Sequence, residues 1–259
     1  MYSGAAPDSV VRFAVELDHQ VRSVVGDRLV ATILHGSAAL GGFVPDHSDV
    51  DVLMLIDPPD ISAKVLRVLA EQIHVAADGC PGVGLELSLV STATAARPDP
   101  PWPFLLHVAT KVVDAKTVLG IDHEGDPDLL MHFAVCRAAG IAVTGPAPEH
   151  LIGEVGRDQI LGYLRSELAW AGRHADPTYG VLNACRAWQF AVTGELVSKF
   201  DGASWALRVG GPDRTISAAV AAQAGTARDT ETEPSRRAAD ELLDEVRLVL
   251  DEHLRAARP

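Results

Sequence analysis

The amino-acid sequence predicts an α+β protein in two parts, a strand-and-helix front half followed by an all-helical back half. Two observations carry this. Segments with apolar residues at helical spacing alternate with short β-rich runs through the first half, whereas beyond residue 158 only helical patterns remain. Between them lies TGPAPEHLIGEVGRD, Thr144 to Asp158, which mixes glycine and proline with few periodic positions. The boundary belongs in that stretch, giving a first domain of residues 1–157 and a second of 158–259.

Taken in order, DSVVRFAVELDHQVRSVVG places Val10, Val11, Ala14, Val15, Val21 and Val24 close to helical period, with Asp8 set to cap and Gly26 to stop the helix. LVATILHG and VDVLMLID read as strands bounded by glycine and by DPPD, the second beginning at Asp49. Helical spacing returns from Ile61 to about Ala77. VGLELSLV then alternates, with Leu85, Leu87 and Leu89 on one face and Glu86 and Ser88 on the other. TAARPDPPWP, Thr94 to Pro103, is too proline-rich for a regular element, and a third helix is expected from Asp126 to Ala139. In the second half, helices are expected at Gln159–Gly172, Tyr179–Thr193, Ser217–Ala224 and Ser235–Ala257, the makings of a bundle. TARDTETEPSRRAADE reads as a solvated connector, and no internal repeat is evident.

Composition narrows the class. With 259 residues, 47% hydrophobic and 22% charged, the chain can bury a full core. No apolar run is long enough to cross a bilayer, and MYSGAAPDSV lacks the basic and apolar regions of a signal peptide, so a cytoplasmic protein without a membrane partner is expected. Cys80, Cys136 and Cys185 show none of the paired spacing of a zinc site or disulfide framework and read as free thiols. A net charge of −13, with no basic stripe, argues against nucleic acid as partner and against template-directed polymerisation; it favours cationic small molecules or metal ions.

The chemistry concentrates in GSAALGGFVPDHSDVDV. Gly36 after a strand lets the backbone turn tightly and brings main-chain N–H groups and the Ser37 hydroxyl within reach of an anion. Asp49 and Asp51, two apart on a strand, point to the same side, where two uncompensated carboxylates would repel and one would take up a proton. A Mg²⁺ ion resolves the conflict, since it is commonly held by one or two carboxylates plus substrate phosphates. Glu86, on the next strand, faces the same cleft if the strands are neighbours, and then suits either a third metal ligand or a general base.

HGSAALGGFVPDHSDVDVLMLID resembles the Gly-Ser…Asp-x-Asp signature of the nucleotidyltransferase superfamily with the polymerase-β-type palm. Within it, the chain is similar to the aminoglycoside adenylyltransferases that modify streptomycin and spectinomycin. LELSLV sits where that family carries its glutamate strand, PDLLMHFAVCRAAGIAVTGPAP matches its helix with a Val-x-Gly-Pro turn, and CRAWQFAVTGELVSKFDGASWAL matches its second-domain helix pair. The resemblance covers most of residues 10 to 225. It implies a palm-like domain with a mixed sheet followed by a helical bundle, acting as a monomer. It further implies ATP as co-substrate, a pair of Mg²⁺ ions, and transfer of AMP to a drug hydroxyl, hence antibiotic resistance.

Carried over residue by residue, the resemblance implies that Ser37 and Ser48 touch the nucleotide phosphates, that Asp49 and Asp51 hold Mg²⁺, and that Glu86 deprotonates the hydroxyl. Asp128 falls on an acid beside the nucleotide, while Arg186 and Lys199 fall on basic residues that reach its phosphates. Each of these three has a plainer reading: a helix cap for Asp128, a snorkelling side chain for Arg186, a surface lysine for Lys199. Two departures bear on the acceptor. Lys111 occupies the position at which streptomycin-modifying members carry tryptophan, and around GRHADPTYG only Asp176 answers to their aspartates. An ammonium cannot stack as an indole does and would repel a guanidinium, so spectinomycin is favoured over streptomycin. The alternatives left open are a non-antibiotic acceptor, whether metabolite or protein, and a nucleotide-binding regulator without turnover.

Overall fold

The computed structural model describes residues 6–111, 115–226 and 233–256. The chain divides after Val155 into two units, Gly4–Val155 and Gly156–Pro259. The first runs α1 (Asp8–Val25), β1 (Leu29–Leu34), α2 (Gly36–Ala39), β2 (Val50–Ile56), α3 (Ala63–Ala77), β3 (Leu85–Ser91), α4 (Thr92–Ala96), β4 (Leu106–Ala109), β5 (Lys116–Leu119), α5 (Leu129–Ala139), β6 (Ile141–Thr144) and α6 (Pro148–Leu151). The second contains α7 (Arg157–His174), α8 (Pro177–Thr193), α9 (Lys199–Arg208), α10 (Asp213–Gln223) and α11 (Arg236–Ala256).

The six strands form one sheet in the order β5-β4-β3-β2-β1-β6. β2 and β3, joined through α3, pair parallel, and every other neighbouring pair is antiparallel, so the sheet is mixed. The apolar run of β2 explains its central place. Val52, Met54 and Ile56 join a core with Leu17 of α1 and Leu69 and Ile73 of α3, while Leu53 and Leu55 join another with Phe133 and Cys136 of α5. A strand covered on both faces has no wet side, and hence no alternation.

α1 is held to the sheet by a polar knot as well as by its apolar stripe. Asp18, only 1% exposed, accepts hydrogen bonds of 2.7 Å from the hydroxyls of Thr32 and Thr144 and two of 3.3 Å from Arg22. Thr32 and Thr144 are cross-strand partners in β1 and β6, so one carboxylate clasps both strands to the helix. Burial works to raise the Asp18 pKa, but the two hydroxyls and the guanidinium outweigh it and hold the carboxyl below its ordinary range.

The second unit is built around α8, whose Val181, Leu182, Ala184, Cys185, Ala187 and Ala191 are all buried. α7, α9, α10 and α11 lie against it. Asp176 caps its start by accepting from the Tyr179 N–H at 2.9 Å, Pro177 occupies the first turn, and Gly194 ends it in left-handed conformation. α11 comes close because Gly180 has no side chain: a Cβ there would lie 3.3 Å from Leu243 Cδ1.

Several expectations are corrected. α9 was invisible to periodicity, being ten residues long with Gly202 inside it; Ser198, which accepts from the Asp201 N–H, is the start signal. The third helix begins at Leu129 rather than Asp126, β2 begins one residue after Asp49, and α4 takes the first residues of the expected Thr94–Pro103 loop. Ser88, expected on a wet face with Glu86, is 2% exposed. Cys136 and Cys185 are buried free thiols and Cys80 is half-buried. Residues 227–232 of the expected connector and Ala257 at the expected end of the last helix lie outside the described residues.

Replacing Asp18 by Asn is expected to lower the unfolding free energy at pH 7 by about 1–3 kcal/mol, read by urea denaturation. Because the folded pKa is depressed, the Asp18 contribution is present above the unfolded value of about 3.9 and is lost as pH falls through the folded one, so the variant and the parent should converge in stability at acid pH.

Candidate active site at the head of the parallel strand pair

The parallel pairing of β2 with β3 sets Asp51 directly beside Glu86. Asp49 lies just ahead of β2, where the following N–H, that of Val50, donates to the Gly84 carbonyl at 2.8 Å. The three acids therefore gather at one end of two neighbouring strands. Two of them have cationic or ionisable company: Lys111 Nζ lies 3.6 Å from Asp49 Oδ2, and His132 Nε2 lies 3.6 Å from Glu86 Oε1. Asp49 and Glu86 keep 26% and 32% of their side-chain surface open to solvent, enough for a ligand to reach them. Among the described residues no group of three or more His, Cys, Asp or Glu side chains is arranged to hold a metal ion.

The glycine turn is built against this cluster. Gly36 has φ +56°, and a Cβ on it would meet Asp51 Oδ2 at 1.8 Å. The His35 N–H donates to the Asp51 carbonyl at 3.1 Å, which ties the turn to β2. Ser37 Oγ is buried and has no hydrogen-bond partner among the described residues, a polar atom held ready for a ligand. Ser48 acts locally. Its hydroxyl accepts from the Val44 N–H at 3.0 Å and its own N–H donates to the Val44 carbonyl at 2.8 Å, closing the loop before the strand.

Three histidines crowd behind Glu86, and none of them was singled out from sequence. His35 and His132 have ring centroids 4.8 Å apart, and His107 Nδ1 lies 3.0 Å from Ser88 Oγ. Burial, reinforced by His132, holds the His35 pKa well below its usual value; burial likewise lowers that of His107, against the pull of Glu86. His35 is therefore neutral at pH 7. His107 is the cross-strand partner of Ser88, two residues beyond Glu86 on the same face. That alternation was the available signal, but it needed the β3–β4 register to be known. Asp128, at the start of α5, makes no side-chain cap; its carbonyl accepts from the His132 N–H one turn later.

Arg186 and Lys199 belong to the second unit, where both approach Tyr179. Lys199 Nζ lies 5.1 Å from the Tyr179 ring centroid, while Arg186 donates to Asn183 Oδ1 at 2.6 Å. Tyr179 Oη donates to Glu167 at 2.7 Å. Burial first, and the Glu167 charge second, push the Tyr179 pKa up, and the Arg186 charge opposes this. α9 can bring Lys199 here because Gly202 lies on Arg186: a Cβ at Gly202 would sit 3.0 Å from the Arg186 nitrogen.

Comparison with known proteins gives a consistent picture. Residues 150–248 match the model of the aminoglycoside adenylyltransferase C-terminal domain. An aminoglycoside (3'') (9) adenylyltransferase of Shigella flexneri is 28% identical over 212 residues, 74% of this chain and 79% of that protein. A spectinomycin 9-adenylyltransferase of Staphylococcus aureus is 26% identical over 199 residues, 72% and 74% of the respective chains. The fold is shared with a spectinomycin adenyltransferase from Enterococcus faecialis, solved with ATP and spectinomycin. It superposes with a TM-score of 0.71 at 14% identity, covering 93% of this chain and 98% of that one. The chain thus resembles the aminoglycoside adenylyltransferases along most of its length, in an α+β fold of mixed sheet followed by helices.

Gly36→Ala is expected to lower the unfolding free energy by about 1–3 kcal/mol, for the left-handed backbone and the displaced Asp51 carboxylate together. Gly26→Ala, with φ +65° and nothing within 4 Å of the added Cβ, should cost less in the same urea titration, and the difference measures the contact with Asp51.

Proposed function

We propose that this chain is a nucleotidyltransferase that moves AMP from ATP to a hydroxyl of an aminoglycoside-type acceptor, with spectinomycin favoured over streptomycin. The observation that carries the reading is the side-by-side placement of Asp51 and Glu86 on parallel strands, with Asp49 just ahead. The acceptor oxygen attacks the α-phosphorus, the bond from that phosphorus to the oxygen bridging to the β-phosphate breaks, pyrophosphate departs, and the hydroxyl proton passes to the Glu86 carboxylate. Such transfer asks a protein chiefly for positioning and charge neutralisation.

The donors suit magnesium, being hard carboxylate oxygens on adjoining strands: Asp49 and Asp51, with Glu86 beside them, would hold it together with substrate phosphates. When bound, it would supply neutralisation of the phosphate charge. The protein's own groups do the rest. Gly36 admits the Asp51 carboxylate against the turn, Ser37 offers its buried hydroxyl to the nucleotide, and Ser48 holds the loop that presents Asp49. Asp128 is assigned to the nucleotide, and Arg186 and Lys199, gathered at Tyr179, are assigned to its phosphates.

Lys111 supports the acceptor preference. Its ammonium stands beside Asp49, at a site where a guanidinium-bearing drug would meet a like charge. Spectinomycin carries no guanidinium. The overall charge of −13 still favours a cationic acceptor. The Staphylococcus relative is named for spectinomycin and the Shigella relative for aminoglycosides, and both similarities extend over more than two thirds of this chain.

Pyrophosphate release from ATP and Mg²⁺ should be seen with spectinomycin, be weaker with streptomycin and be absent without acceptor. Glu86→Gln and Asp49→Asn should each lower the rate at least about a hundredfold, the scale of a lost general base. Silence with both drugs, with ATP and Mg²⁺ still bound, would redirect the search to a metabolite or protein acceptor; a full biological effect from Glu86→Gln would instead favour a regulator without turnover. Arg186→Ala and Lys199→Ala are expected to raise the KM for ATP severalfold, read in the same assay with nucleotide varied.

A further inference from the structure

Lys111 is placed by the sheet and not by chance of a long side chain. The β3–β4 register sets Glu86 opposite Ala109, and the ladder continues past the strand end: the Thr110 N–H donates to the Leu85 carbonyl at 2.9 Å and the Leu85 N–H donates to Thr110 Oγ1 at 2.9 Å. The next rung therefore brings Lys111 against Gly84, where a Cβ would lie 2.7 Å from the Lys111 nitrogen and 3.0 Å from its Cβ. On its other side Gly84 accepts from the Val50 N–H, the residue after Asp49. Asp49, Gly84 and Lys111 thus stand in a row across the sheet. With no side chain in the middle of that row, the ammonium crosses to within 3.6 Å of the Asp49 carboxylate.

From this row we infer that Lys111 is a built-in cation that neutralises Asp49 until a divalent ion takes its place, and that it thereby weakens metal binding by the nucleotide-free chain. The inference rests on the reading of Asp49 as a metal ligand. A positive charge this close to a ligand oxygen opposes a second cation at the same oxygen. It also relieves the repulsion among Asp49, Asp51 and Glu86 while the site is empty of nucleotide. Lys111 keeps 37% of its side-chain surface in water, so it can swing away when phosphates and metal arrive together.

The test uses the full chain without nucleotide and Mn²⁺ as the probe, with free metal counted by electron paramagnetic resonance. Lys111→Met is expected to bind Mn²⁺ roughly two- to fivefold more tightly than the parent chain, the range for one partly exposed ion pair. Lys111→Gln should behave as the Met variant does, and Lys111→Arg should stay near the parent value; circular dichroism confirms that all are folded. Unchanged or weaker binding in both neutral variants overturns the inference, whatever the enzyme does with ATP. Asp49→Asn separates the two claims: it should lose affinity, and if it binds as the parent does, the reading of Asp49 as a ligand fails, and the role of Lys111 with it.

Discussion

The constraint on which the site depends is the crowding of three carboxylates at the head of one parallel strand pair. Pairing β2 with β3 in parallel register leaves no choice about Asp51 and Glu86: they are neighbours on one rung, with Asp49 just beyond. Like charges at such separations raise one another's pKa unless something positive or hydrogen-bonding intervenes. The surroundings supply it. Lys111 stands at Asp49, His132 stands at Glu86, and Asp51 is pressed against a glycine turn. A cluster so assembled is costly to keep.

The rest of the first unit makes that crowding tolerable. β2 is covered on both faces, by α1 and α3 on one side and α5 on the other, so its polar end is held by an apolar body that cannot shift register without moving its whole side-chain set. Asp18 fastens α1 to the two strands beyond β2 through Thr32 and Thr144. Behind Glu86 the buried His35, kept neutral by desolvation, adds ring packing rather than charge. The acidic cluster thus has the Lys111 ammonium at Asp49 and the His132 ring against Glu86.

In the second unit the corresponding concentration is of basic residues at Tyr179. Arg186 on α8 and Lys199 at the start of α9 come together because Gly202 lets the two helices touch.

What the sequence by itself determined was whatever depends on near neighbours in the chain. Helical spacing located α1, α3, α7, α8, α10 and α11, although Asp8, expected to cap α1, is its first helical residue and makes no side-chain cap. The glycine turn with Asp49 and Asp51 marked the candidate site, because a turn and the first residues of the strand after it are local objects. The two-part organisation was also legible, as a change in periodicity. What only the tertiary structure decided was the set of partners across strands. His35, His107 and His132 are scattered along the chain and meet behind Glu86 through the β3–β4 register and the docking of α5. Lys111 becomes a partner of Asp49 because Gly84 opens the row between them. α9 was legible only through the family resemblance and not through periodicity, since ten residues interrupted by a glycine hold too few turns to show a period. Local propensity reports which element a segment forms; which elements then share a rung is set by burial of the whole sheet, and that is where the charges of this site find one another.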